Sequence, residues 1–375
     1  AGSLFVRSLR NLSAQDAGFQ TEHIMTFSVD PTLNGYDTDK TKQIYARLKE
    51  KLDGLGHVES SALGMVRVLE DSSWTCTVAV EGHPGQPAQN VRVFANDISE
   101  DYFTTLGIPF RQGRDFGPLD TPQGPRAVIV NETFNKHFLK QFPDQHSSLG
   151  AHLGWAVPGQ PINMKIVGIV GDTKNENLRE DMQPQIYTPY GQSFVALGMT
   201  GYVRSSLAPA AVYQNIQHVL HDIDPSLPIY AMRTLEEQRY RSLGMERLIA
   251  LLATTFASFA VLLTAIGLYG VLNFSVIRRT HEFGLRIALG AKNRNILWIV
   301  LKEVLFLWAI GTAIAIPVAY GLGRFISSQL YGVAPYDLSI TALAVVLLCV
   351  VAVLAAGIPA RRAVKIDPME ALRYE

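Results

Sequence analysis

The chain has two cysteines in 375 residues, Cys76 and Cys349. That is too few for a disulfide-stapled scaffold. Charge is scarce as well. Only 18% of residues are Asp, Glu, Lys or Arg, against about 25% in an average soluble protein, and the 33 basic and 33 acidic side chains cancel. This balance excludes a disordered chain and a basic, nucleic-acid-coating protein, so no nucleic acid partner is expected. There is no G-x-x-x-x-G-K-S/T run to cradle nucleotide phosphates and no G-x-S-x-G nucleophile elbow. Gly168-Ile169-Val170-Gly171-Asp172 ends a strand without the third glycine of a dinucleotide loop and reads as a turn. His137, His146 and His152 have no Cys or Glu partner at ligand spacing. His218 and His221, near Asp222 and Asp224, are accounted for by a helix C-terminus. No catalytic, cofactor or metal site is expected.

What is abundant is uninterrupted apolar sequence. Leu248–Ile277, Val304–Gly323 and Leu338–Ala360 run for 30, 20 and 23 residues without Asp, Glu, Lys, Arg or His. Roughly 20 apolar residues cross the hydrocarbon of a bilayer, so each is a predicted membrane helix. Basic residues give the orientation. The loop 278–295 holds Arg278, Arg279, Arg286, Lys292 and Arg294 against Glu282, and the tail 361–375 holds Arg361, Arg362, Lys365 and Arg373. Only Arg324 lies between the second and third spans. The loop 278–295 and the C-terminus are therefore expected in the cytoplasm, with the large preceding segment outside it. No acidic residue falls in the middle of a span, which argues against proton-coupled transport.

Residues 20–245 read as mixed α and β structure. Strands are expected at Ile24–Val29, Val78–Val80, Val91–Phe94, Ala127–Val130, Ile166–Val170, Gln185–Tyr190 and Met199–Arg204. Helices are expected at Thr38–Leu52, Asp97–Leu106, Glu132–Phe142 with Asn131 as N-cap, and Pro209–Ile223 with Pro at its first position. A further helix, Thr234–Arg247, should run on into the first membrane span.

Three segments in and beside the spans carry candidate function. Arg278–Ala291 should form a short amphipathic helix. Arg278 and Glu282, then Glu282 and Arg286, stand four apart, Phe283 and Ile287 share a face, and Gly290 suits the position after the helix end. Such a helix either lies on anionic lipid or docks a cytoplasmic partner. Gly311, Ala315, Ala319 and Gly323, each four apart, make a small-residue ladder for close helix packing. Asp367, Pro368 and Glu370 suit the N-cap, first position and third position of a final helix.

These segments resemble the MacB/FtsX-type ABC-transporter permeases, most closely their duplicated orphan members. The resemblance rests on Arg278–Ala291 (RRTHEFGLRIALGA) and Pro359–Glu375 (PARRAVKIDPMEALRYE), with Asp101–Phe116, Ala127–Phe138, Ile166–Asp172, Pro184–Tyr190 and Asp224–Glu237 in the outer domain. It implies an α+β periplasmic core domain over 20–245, made of a lobe at 20–70 plus 198–240 and an inserted lobe at 72–190. An FtsX-like domain of three membrane helices would follow over 246–375. Residues 1–19 would hold the stump of a fourth, N-terminal membrane helix and a linker, as in the C-terminal half of a longer duplicated permease.

It further implies no enzymatic centre and no cofactor. The chain would be a multi-pass permease of the bacterial inner membrane that couples ATP hydrolysis on a separate cytoplasmic ABC ATPase to movement of its periplasmic domain, for efflux or export. The ATPase contact would fall on Arg278, Arg279, Glu282, Phe283, Arg286 and Ile287. Arg361, Arg362, Asp367 and Pro368 would belong to the cytoplasmic tail. A second permease unit, the lipid bilayer and a periplasmic adaptor complete the implied partners. Relatives also include scaffolds that regulate a periplasmic cell-wall enzyme and permeases that release lipoproteins.

Overall fold

The computed structural model describes residues 2–81, 88–326 and 338–364. They divide into two compact units, Gln15–Gly244 and Ala1–Ala14 with Met245–Glu375. In chain order, α1 (Gly2–Ser13) precedes the larger unit. That unit holds β1 (Ile24–Val29), α2 (Thr38–Asp53), β2 (Val58–Gly64), β3 (Trp74–Val80), β4 (Gln89–Ile98), α3 (Tyr102–Leu106) and β5 (Phe110–Gly113). It continues with β6 (Ala127–Asn131), α4 (Glu132–Gln141), β7 (His152–Trp155), β8 (Met164–Val170), β9 (Gln185–Pro189), β10 (Met199–Ser205), α5 (Pro209–Ile223), β11 (Ile229–Thr234) and α6 (Leu235–Ser242).

The strands form one hydrogen-bonded sheet in the order β11-β1-β10-β2-β4-β3-β7-β8-β6-β9, with β5 on β8. Two parts of it behave differently. β11-β1-β10-β2 is an antiparallel sheet covered by α2 and α5. Ile44, Tyr45, Leu48 and Leu52 of α2 and Val212, Ile216, Val219 and Leu220 of α5 recur at helical spacing, so one stripe of each helix meets Phe27, Val29, Leu63 and Val203. Asp37 caps α2 by accepting from the Lys40 N–H at 2.8 Å. Gly201 makes room for Phe27, since a Cβ there would lie 2.3 Å from the ring.

The second part closes on itself. β4 pairs with β3 on one side and, in parallel, with β9 on the other. The strands β4-β3-β7-β8-β6-β9 therefore make a six-stranded barrel. Its interior is filled by Val78, Val93, Val128, Leu153, Ile166 and Ile186, with Phe134 and Phe138 of α4 packed in. Closure removes sheet edges that would otherwise seek partners. Asn131 ties the barrel to α4. Its Oδ1 accepts from Phe134 N as the helix cap and from Gln185 N of β9, both at 2.9 Å, and its amide donates to Gln183 O. The two parts join through one β2–β4 pair, Gly64 with Ile98.

Two expected elements differ. Asp97–Leu106 is not one helix. Asp97 and Ile98 belong to β4, where they pair with Thr188 and Pro189, and α3 starts at Tyr102 after Asp101 adopts φ +62°. Helical spacing in the sequence was outweighed by the ladder that closes the barrel. The helix expected at Thr234–Arg247 is two helices. Thr234 caps α6, which ends at Ser242, and Leu243 separates it from the next helix, which opens at Gly244.

The remaining unit contains α7 (Gly244–Arg278), α8 (Thr280–Ala288), α9 (Asn293–Ile326) and α10 (Leu338–Val364). Windows within α7, α9 and α10 are long and apolar enough to cross a membrane. Leu272, Val304, Ala352 and Ala356 pack the three together. Around them, large side chains such as Phe256, Phe259, Leu263 and Ile266 point outward. In α7 the hydroxyls of Thr254, Thr255, Ser258 and Thr264 each donate to the carbonyl four residues back. A helix in hydrocarbon must satisfy its polar groups internally, and these do. Pro317 lies inside α9, which continues to Ile326.

Candidate functional site

The segment expected as a helix over Arg278–Ala291 is the shorter α8. Arg278 is the last residue of α7, and the chain turns at Arg279, with φ −104° and ψ 18°. The Arg278–Glu282 spacing is therefore split between two helices. The second spacing is realised as an ion pair, with Arg286 Nη2 2.6 Å from Glu282 Oε1. Arg279 instead reaches Glu303 of α9, Nη1 to Oε2 at 3.3 Å. The far end of α8 is closed as expected around Gly290, at φ +89°. Gly290 N–H donates to Ile287 O and Ala291 N–H to Arg286 O, both at 2.9 Å, the paired bonds of a Schellman stop.

The two faces of α8 differ. Phe283 is 2% exposed and packs with Val276, Ile296, Val300 and Ala360, and Ile287 lies half-buried against the same cluster. These residues anchor α8 to α7, α9 and α10. The opposite face presents Glu282, Leu285 at 46% exposure and Leu289 at 81%. Leu285 and Leu289 were missed in the sequence, because both faces of α8 carry apolar side chains and the packing of α9 and α10 decides which one is buried. An exposed pair such as Glu282–Arg286 contributes only about 0.3–0.5 kcal/mol, so it can exchange partners at little cost.

The small-residue ladder lies in α9. Gly311, Ala315 and Ala319 line an apolar cavity of about 540 Å³, together with Leu4 and Phe5 of α1, Leu268 of α7 and Leu348 of α10. A Cβ added at Gly311 would meet nothing within 4 Å. Gly323 falls in the same helix. Arg361 is exposed near the end of α10, which also includes Arg362, while Asp367 and Pro368 lie outside the described residues. Among the described residues no group of three or more His, Cys, Asp or Glu is placed to hold a metal. Asp222 is paired with Lys51 at 3.3 Å, and Asp224 accepts from Tyr36 and Ser226, which draws its carboxyl below the usual range.

Comparison with known proteins places these units in a family. The description "MacB-like periplasmic core domain" matches residues 12–219, and "FtsX-like permease C-terminal" matches residues 254–368. The macrolide export ATP-binding/permease protein MacB of Acinetobacter baylyi is 26% identical over 75% of this chain and 42% of its own length. The ABC transporter permease YknZ of Bacillus subtilis is 27% identical over 75% of this chain and 70% of its own. The chain thus spans less than half of that MacB. The crystallised periplasmic region of MacB from Actinobacillus actinomycetemcomitans aligns with 62% of this chain and 97% of its own, at a TM-score of 0.40 and 12% identity. With a periplasmic core match over more than half its length and an FtsX-like match over the helices that follow, the chain belongs to the MacB/FtsX-like ABC transporter permease family.

Proposed function

We propose that this chain is the permease subunit of an ABC export or efflux system, driven by an ATPase on another polypeptide. The observation that carries the reading is the two-sided α8. One face is locked into the helix core by Phe283, and the other offers Glu282, Leu285 and Leu289. Packed interiors are stiff and transmit displacement, so a push on the outer face of α8 would pass into α7, α9 and α10. In this reading α8 lies in the cytoplasm of a cell with an inner membrane, the C-terminus lies on the same side, and the unit Gln15–Gly244 lies outside. The α7 helix follows α6 after a one-residue break at Leu243, giving a short path from membrane to outer unit along the chain. A second permease unit would pack against the membrane helices, and the outer unit would meet a periplasmic adaptor.

The test is recovery of an ABC ATPase with the affinity-tagged full chain from native membranes. The wild type should bring it down, and Glu282→Arg should lower recovery at least about tenfold with the chain still inserted. Equal recovery with Glu282→Arg, or no ATPase with the wild type, would sink the proposal.

A further inference from the structure

The barrel in the outer unit has a mouth that force transmission does not use. Trp74 at the start of β3, Trp155 at the end of β7, Asp97 near the end of β4 and Thr188 near the end of β9 come to one rim. With Arg126 and Phe194 they line a cavity of about 100 Å³. α4 leaves β6 at the opposite rim and packs Phe134 and Phe138 into the interior. Barrel mouths are recurrent places for small ligands.

The lining restricts the ligand. Trp74 and Trp155 stand 5.6 Å apart at 32°, both half-buried, and form one aromatic wall. Asp97 is 4% exposed, and Thr188 Oγ1 donates to its Oδ1. A carboxylate has about four acceptor sites, so capacity toward the cavity remains. The Arg126 guanidinium sits 4.4 Å from the centre of the exposed Phe194 ring, with in-plane N–H donors at the rim. Asp97 and Arg126 cancel in charge. Lys42, whose Nζ donates to Gly191 O and Ser193 O, also acts on Asp97. A cationic ligand would therefore be opposed by Arg126, and an anionic one by Asp97. Size is limiting too. At about 100 Å³ the mouth is smaller than the roughly 150 Å³ that encloses benzene, so it seats one face of a single ring and leaves the rest of the ligand in solvent.

We propose that the barrel mouth binds one neutral hydroxylated ring, the chemistry of a pyranose sugar residue. Its C–H face would lie on Trp74 and Trp155, with ring hydroxyls donating to Asp97 and accepting from Arg126. Burial raises the Asp97 carboxyl, and the hydroxyls of Ser193 and Thr188, with Lys42, oppose that rise.

The four tryptophans allow a direct test, because the others, Trp298 and Trp308, both lie in α9. The full chain carrying Trp298→Phe and Trp308→Phe is placed in phosphatidylcholine nanodiscs, since sugar-headed detergents would compete. Glucose, galactose, mannose and N-acetylglucosamine are titrated against tryptophan emission. At least one should give a saturable change in the millimolar range, the scale for about twelve heavy atoms. Binding should weaken about tenfold in Arg126→Ala, a half-exposed position, and in Asp97→Asn, each checked against the parent's melting temperature. No saturable change with any of the four overturns the proposal. So does an unchanged curve in Arg126→Ala. Saturation by p-cresol with none by the sugars also overturns it, and would assign the mouth to an aromatic side chain of a partner protein.

Discussion

Phe27 and Phe259 are the same side chain in two settings. Phe27 is fully buried between strand and helices in the outer unit, whereas Phe259 on α7 is 57% exposed. The contrast extends across the molecule. The outer unit buries most of its apolar side chains and turns most of its charge outward, while α7, α9 and α10 hold a thin shared seam and display large apolar residues all round. A solvent-exposed band of that kind is costly in water and ordinary in hydrocarbon. The two units are thus built for two solvents.

The largest effect should come from the buried partner. Phe27→Ala should cost the outer unit about 3–5 kcal/mol, whereas Phe259→Ala should change the stability of the chain in bilayer by under about 1 kcal/mol. Chemical unfolding in nanodiscs measures both. Equal losses would erase the distinction. Charge inverts the comparison. Leu33 and Leu263 are 70% and 67% exposed. Leu33→Asp should stay within about 0.5 kcal/mol, while Leu263→Asp should cost α7 about 2.5–3.5 kcal/mol in a membrane-insertion assay.

Polar groups give a smaller contrast. Asn131 serves α4, β9 and Gln183 at once, so Asn131→Ala should cost about 2 kcal/mol by thermal melting. Thr264 returns its hydroxyl to its own helix, and Thr264→Ala should cost under about 0.5 kcal/mol. The smallest effect is a pH dependence in the outer unit. Burial, with Asp101, Glu100 and Asp120 adding to it, pushes the Asp115 carboxyl up to about 6 from 3.8. Between those values the folded chain binds more protons than the unfolded one, so stability falls as pH rises from about 4 to 6. Asp115→Asn should raise the melting temperature by about 2–4 °C at pH 7.5 and leave it unchanged at pH 3.

Much of this was legible in the sequence because it is local. Pro209 at the first position and apolar spacing through Val212, Ile216 and Leu220 set α5, and Asn131 announced α4. The three long apolar runs needed only counting. The barrel was not legible, since its closure pairs β4 with β9 across some ninety residues of chain. No local pattern encodes a non-local pairing, and for that reason Asp97 read as helical. In α8 the Glu282–Arg286 pair and the Gly290 stop were readable. The inward burial of Phe283 and the outward stance of Leu285 and Leu289 were not, because both faces carry apolar side chains and only the packing of α9 and α10 decides between them.

Drive from an ATPase inside the cell requires α8 to face the cell interior while the barrel faces outward. Single cysteines at Thr280 and Gln123, in a chain carrying Cys76→Ser and Cys349→Ser, can be exposed to a membrane-impermeant maleimide in spheroplasts. Gln123→Cys should label at once, and Thr280→Cys only after the inner membrane is permeabilised. Labelling of Thr280→Cys in unpermeabilised spheroplasts would contradict the account.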